Sequence, residues 1–172
     1  KLYTITLEDV REKLSGGYRL VGNVTIESGN TVSLADGVSI TQKGYGITVY
    51  GALNAEYETV VEAFVSNSSN AYINVQDGGV VNLKNASVNL SAGYSQVRVY
   101  TGGTYNMTGG SLYAYHYGIS VSSGGAMGLN GVEVKSQIDN SGTLELVNST
   151  HTSYVNNKGT MTAEGTTFTS YV

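Results

Sequence analysis

Three consecutive segments, GAMGLNGVEVKSQIDNS (125–141), GTLELVNSTHTSYVNNK (142–158) and GTMTAEGTTFTSYV (159–172), fall into register at a period of 17 residues without a gap. Each opens with glycine. Met127, Leu144 and Met161 share one column, Leu129, Leu146 and Ala163 another, and Ile138, Val155 and Val172 a third. Self-similarity at a fixed period marks a repeat architecture, and apolar positions two residues apart are the inward side of stacked strands. A further column holds Gly131, Asn148 and Gly165, residue types that tolerate positive φ, which predicts a tight corner between strands. The corner recurs upstream as Gly109 and Asn85.

The opening glycine recurs at Gly103, Gly79 and Gly51, so successive coils measure 28, 24, 22, 17 and 17 residues. Nine residues after it lie Val60, Val88, Leu112, Val134, His151 and Phe168; four before it lie Ile47, Val75, Val99, Val121, Ile138 and Val155. The length changes are expected between these two columns, with burial fixing the ladders and extra residues leaving through one corner as loops. Three short strands per coil without intervening helices predict an all-β chain folded as a right-handed parallel β-helix (β-solenoid) of about six to seven coils. A β-sandwich is the alternative, and it gives no in-register columns.

Composition agrees. The 172 residues suit one domain, with 23 Gly and 14 Tyr favouring short strands and tight turns. Within it, 1–15 reads as an N-terminal strand and capping helix, 16–50 as the first coils, 51–124 as coils with long loops, and 125–172 as regular coils. A net charge of -4 without a block of either sign disfavours nucleic acid and anionic membrane surfaces. No Cys is present for disulfides or thiolate metal sites, and no apolar run reaches the roughly 18 residues of a membrane span. N-x-[ST] sequons at Asn23, Asn67, Asn85, Asn89, Asn106 and Asn148 suggest an extracellular glycoprotein.

Near the start, Leu7, Val10 and Leu14 fall at helical spacing behind a Thr6–Asp9 capping pair, so 7–15 is expected as a short helix covering the first coil. The following stretch, GGYRLVGNVTIESGNTVSLADGVSITQKGYGITVYGALNA (16–55), resembles the first coils of right-handed parallel β-helix surface proteins secreted by bacteria and archaea. The resemblance rests on a tyrosine-bearing opening strand, a valine-rich strand, a Gly turn and the V-x-G-x-L-x-A segment at Val49–Ala55. It departs from that family at Ala35-Asp36-Gly37, where a Pro is usual. It implies surface display, adhesion or polysaccharide contact, with no fixed catalytic set.

Candidate chemistry is sparse. Glu56, Glu58 and Glu62 sit together in the first long excursion, and a solvated loop explains them better than acid/base or cation-binding work. No catalytic residue, metal ligand or cofactor is assigned. His151 shares a column with Val134 and Phe168 and reads as a core ring; His116 lies in a loop, and neither has a metal partner at a telling spacing. Thr pairs at Thr150/Thr152 and Thr167/Thr169 match over two coils only, too few for an ice-binding array. Tyr113, Tyr115 and Tyr117 alternate with Leu112, Ala114 and His116, and with Tyr94, Tyr100 and Tyr105 they form the candidate face for carbohydrate or a protein partner.

The most regular coils are the last two, and they carry little charge. Thr166, Thr167, Phe168, Thr169, Ser170, Tyr171 and Val172 therefore read as an assembly edge, with Leu2, Tyr3, Thr4 and Ile5 of another copy as the pairing strand. The expected function is a non-enzymatic, extracellular or cell-surface structural subunit that self-associates. Polysaccharide adhesion through the tyrosines is the alternative, and a polysaccharide lyase a third reading.

Overall fold

The computed structural model describes residues 11–14, 17–34 and 38–172. Every regular element among them is a strand, and all belong to one sheet that curls round a continuous apolar core. Each circuit of the chain contributes three strands that pair in parallel with their equivalents one coil away. The first strands carry the inward ladder Val32, Leu53, Val81, Tyr105, Met127, Leu144 and Met161. Second strands carry Tyr18, Ile40, Val65, Val88, Leu112, Val134, His151 and Phe168. Third strands carry Val24, Ile47, Ile73, Val97, Ile119, Ile138 and Val155. The arrangement is all-β and β-solenoid-like.

Burial follows the pleat. Along Thr143–Val147, Leu144 and Leu146 are buried while Thr143 and Glu145 are exposed, and each inward Leu or Val of this kind contributes about 1.5–3 kcal/mol. The predicted corner column is seen: Asn85, Gly109, Gly131, Asn148 and Gly165 all have positive φ, from 47° to 69°. Backbone bonds run from coil to coil through it, as from Gly131 N to Val147 O at 2.9 Å and from Asn148 N to Glu164 O at 2.7 Å.

The corner that ends at each opening glycine, or at Asn30 in the first coil, comes in two sizes. Residues 27–30, 76–79, 100–103 and 122–125 close with an N–H of the fourth residue donating to the carbonyl of the first, at 2.8–3.0 Å. Their third residues, Gly29, Gly78, Gly102 and Gly124, have φ between +74° and +82°, the signature of a type II turn. Residues 50–51, 141–142 and 158–159 make the same corner in two residues.

Those two sizes correct one column of the sequence reading. Val75, Val99 and Val121 do not align with Ile47, Ile138 and Val155; they align with Val49, Asn140 and Asn157, and the ladder of Ile47 continues through Ile73, Val97 and Ile119. Counting back from the glycine slips by two residues wherever the corner is longer by two. Val60 is also corrected. It is exposed, and Val65 pairs with Val88, because the excursion leaves before the second strand and is anchored by Tyr57 and Phe64, packed edge to face at 5.6 Å. These two rings bury more apolar area than Val60 could, so they decide which residues turn inward.

The expected helix is not formed where the structure describes it: Arg11–Leu14 is a strand antiparallel to Gly17–Leu20, while residues 7–10 and 15 lie outside the described residues. So short a helix is marginal, whereas the first coil offers an unpaired strand edge to complete. Leu2, Tyr3, Thr4 and Ile5 also lie outside the described residues. At the other end, Thr167–Phe168 pairs with Thr150–His151, and the inward column is uncovered: Met161, Thr166 and Phe168 are half-buried, while Ala163, Thr169, Ser170, Tyr171 and Val172 are exposed. No helix among the described residues is long and apolar enough to cross a membrane.

Candidate functional site

Outward positions of the third strands build one side of the upper coils. Tyr72, Gln96 and Gly118 stack in register, as do Asn74, Arg98 and Ser120. Tyr72 fits because residue 46 is glycine: a Cβ there would lie 1.9 Å from the ring. A groove of about 420 Å³ runs here, lined by Gly44, Asn70, Ala71, Tyr72, Asn74, Tyr94, Gln96, Arg98 and Tyr117.

Its aromatic rim is held by polar side chains. Asn67 Nδ2 donates to Ser69 O, Ala92 O and Ser95 Oγ at 2.7–2.8 Å, and its Oδ1 accepts from Ala92 N at 3.1 Å. Asn70 Oδ1 accepts from Tyr94 N at 2.8 Å. These bonds fix the loop that carries Tyr94. Opposite, the pairing shifts register around His116, which has φ of 73°, so His116 and Tyr117 both turn outward. Tyr94 then lies 4.4 Å from His116 and 5.5 Å from Tyr117, with Tyr115 5.9 Å from His116, measured between ring centroids. Tyr94 and Tyr117 remain 53% exposed.

Arg98 is fixed from below. Its Nη1 donates to Tyr100 Oη at 2.6 Å, its Nη2 donates to Gln96 Oε1, and the guanidinium lies 5.4 Å from the centroid of the Tyr100 ring. No carboxylate pairs with it among the described residues. The structure thus groups Tyr94, Tyr115 and Tyr117, places half-buried Tyr113 beside Tyr115 at 6.5 Å, and sets Tyr100 under Arg98. Tyr105 does not belong to the face. It is fully buried because the pleat of Thr104–Thr108 turns it inward with Met107, whose sulfur lies 3.9 Å from its hydroxyl, and burial pushes that phenol far above its usual pKa. Tyr72, Asn74, Gln96, Arg98 and His116 were not expected as parts of a site; the outward stack of third-strand positions is the signal that identifies four of them.

A second groove, about 620 Å³, lies along the first strands. There Asn106 Nδ2 donates to Asn82 Oδ1 and Asn82 Nδ2 to Asn54 Oδ1, both at 3.0 Å, and Lys84 pairs with Glu56 at 2.9 Å. Its polar groups largely satisfy one another. Glu58 and Glu62 are exposed, and no group of three or more His, Asp or Glu among the described residues is placed to hold a metal. His151 is buried beside Phe168, with Nε2 2.9 Å from Ser136 O. Burial holds its pKa below the usual histidine range, against backbone contacts to Ser136 and Ser153 that raise it.

The sequons differ in what their amides do. Asn67, Asn85 and Asn106 donate through Nδ2 to other groups, Asn85 to Tyr57 O at 2.9 Å. Asn89 is half-buried in the sheet beside Tyr113, while Asn23 and Asn148 are exposed. No known protein family, curated protein or solved structure matches this chain.

Proposed function

We propose that this chain is a right-handed parallel β-helix that serves as a non-enzymatic extracellular scaffold and binds polysaccharide along the groove rimmed by Tyr94, His116 and Tyr117. The handedness rests on the strong preference of parallel crossovers for the right-handed form. The observation that carries the binding reading is the exposed ring cluster held beside an amide-lined groove. Sugar rings present apolar C–H faces edged by hydroxyls, and aromatic faces flanked by Asn and Gln complement both. The anchoring by Asn67 and Asn70 means little ordering cost remains at binding. His116 keeps a backbone conformation that costs about 1–3 kcal/mol, a strain that places its ring and that of Tyr117 outward. On the exported protein, N-glycans would sit on the exposed Asn23 and Asn148.

A panel of immobilised polysaccharides tests the reading. The intact chain is expected to bind at least one, with Tyr94→Ala and Tyr117→Ala each weakening binding at least about tenfold, a loss in the range of one good stacking contact. Tyr154→Ala, an exposed tyrosine two coils lower, is the control and should bind as the parent does. Binding to no glycan, or equal binding by the groove variants, refutes the proposal.

A second reading, end-to-end assembly of copies, rests on the uncovered Met161, Ala163, Phe168 and Val172. A second copy would cover these side chains, as would a further coil of a longer chain. Light scattering over a concentration series should show mass growing with concentration, and Phe168→Glu should stop the growth; a constant monomer mass rejects it.

A further inference from the structure

We infer that the saccharide taken by this groove carries an anionic group, a carboxylate or a sulfate ester, and that Arg98 is the residue that selects it; the inference rests on the polysaccharide reading above. Among the described residues, Arg98 is the one charged side chain lining the groove, and no acid lines it. A guanidinium has five N–H donors in a fixed fork. Two groups, Tyr100 Oη and Gln96 Oε1, take up part of that fork, and no carboxylate among the described residues neutralises the charge.

The two bonds have a second effect. They hold a long, mobile side chain in one orientation before any ligand arrives, so the donors left over are presented from a fixed place in the groove wall. Planar, two-oxygen anions match that fork better than hydroxyls do, and charge-assisted bonds are roughly twice as strong as neutral ones. The chain as a whole carries a net charge of -4, so general attraction of polyanions is disfavoured and any anion preference must come from a local site.

The test measures affinity by calorimetry for two matched pairs: polygalacturonate with its carboxyl-reduced form, and dextran sulfate with dextran. The anionic member of at least one pair is expected to bind about tenfold or more tighter than its neutral partner. Which pair shows the preference tells carboxylate from sulfate. In Arg98→Gln the preference should fall to within about twofold, the anionic member losing several times more affinity than the neutral one, and Arg98→Lys should keep part of it. Tyr117→Ala should weaken both members alike and leave their ratio intact; loss of fold would do the same, so thermal midpoints are recorded for every variant. Equal or tighter binding of the neutral members, or a preference that survives Arg98→Gln, overturns this inference and leaves the polysaccharide reading standing. Failure of all four polymers and of the wider panel overturns both.

Discussion

The upper coils, from Ala52 to Val121, and the lower coils, from Ala126 to Phe168, share the same inward ladders but treat the space between them differently. Below, each coil takes 17 residues and most outward positions are short polar side chains. Above, the chain spends additional residues on the excursion at 57–64, the loop at 91–95 and the bulge at His116, and the last two of these supply the aromatic rim. The groove exists only where the repeat is broken. Regular stacking is therefore the solution to burial, and departures from it, placed at corners where they cost the core little, are where a surface can acquire chemistry.

Core truncation should separate the two kinds of position most strongly. Leu144→Ala removes a fully buried side chain between Met127 and Met161 and is expected to cost about 2–5 kcal/mol in chemical unfolding, whereas Val60→Ala in the upper excursion should cost less than about 0.5 kcal/mol. Comparable losses would mean that Val60 belongs to the core after all.

Glycine corners should rank next. A Cβ at Gly142 would stand 2.4 Å from the carbonyl oxygens of Gly125 and Ser122, so Gly142→Ala must move backbone and is expected to cost about 1–3 kcal/mol. Gly29 has open space and only its φ of +82° to defend, so Gly29→Ala should cost about 1 kcal/mol.

Acid should weaken the lower coils through His151. Its folded pKa lies below that of the unfolded chain, which is about 6.5, so stability is full above that pH. It declines as pH falls from ~6.5 toward the folded value, because the unfolded state then binds a proton that the folded state refuses. Unfolding midpoints measured across that window should fall for the parent chain and flatten for His151→Leu. Among the corners the smallest effect is expected at Asn148, with φ of 47°: Asn148→Gly should be nearly neutral and Asn148→Ala should cost about 0.5–1 kcal/mol.

Much of this architecture is legible in the residues themselves. The register of Met127 with Leu144 and Met161, the positive-φ column from Asn85 to Gly165 and the burial of His151 all follow from the repeat. What is not legible depends on corner length and on stacking between coils. A glycine that ends a two-residue corner and one that ends a four-residue turn look alike in sequence, so the third-strand ladder slips by two residues when counted from Gly79, Gly103 and Gly125. Tyr105 differs: it follows Gly103 by two residues as Met127 follows Gly125, so its inward column is there to read, and its assignment to the exposed face follows its residue type instead. Arg98 and Tyr72 lie 26 positions apart and meet through coil stacking, which no local pattern announces.

The claim that the ladders run unbroken from the irregular coils into the regular ones is tested most directly by disulfide trapping, which the absence of cysteine makes clean. Ser120 pairs with Asp139 across that boundary, whereas a uniform 17-residue period would pair it with Gln137. Outward, in-register neighbours on adjacent strands are close enough to bridge, and diagonal ones are not. The double variant Ser120→Cys/Asp139→Cys should form an intramolecular disulfide on mild oxidation, and Ser120→Cys/Gln137→Cys should leave two free thiols. Bridging of the second pair but not the first would contradict the register on which the groove is built.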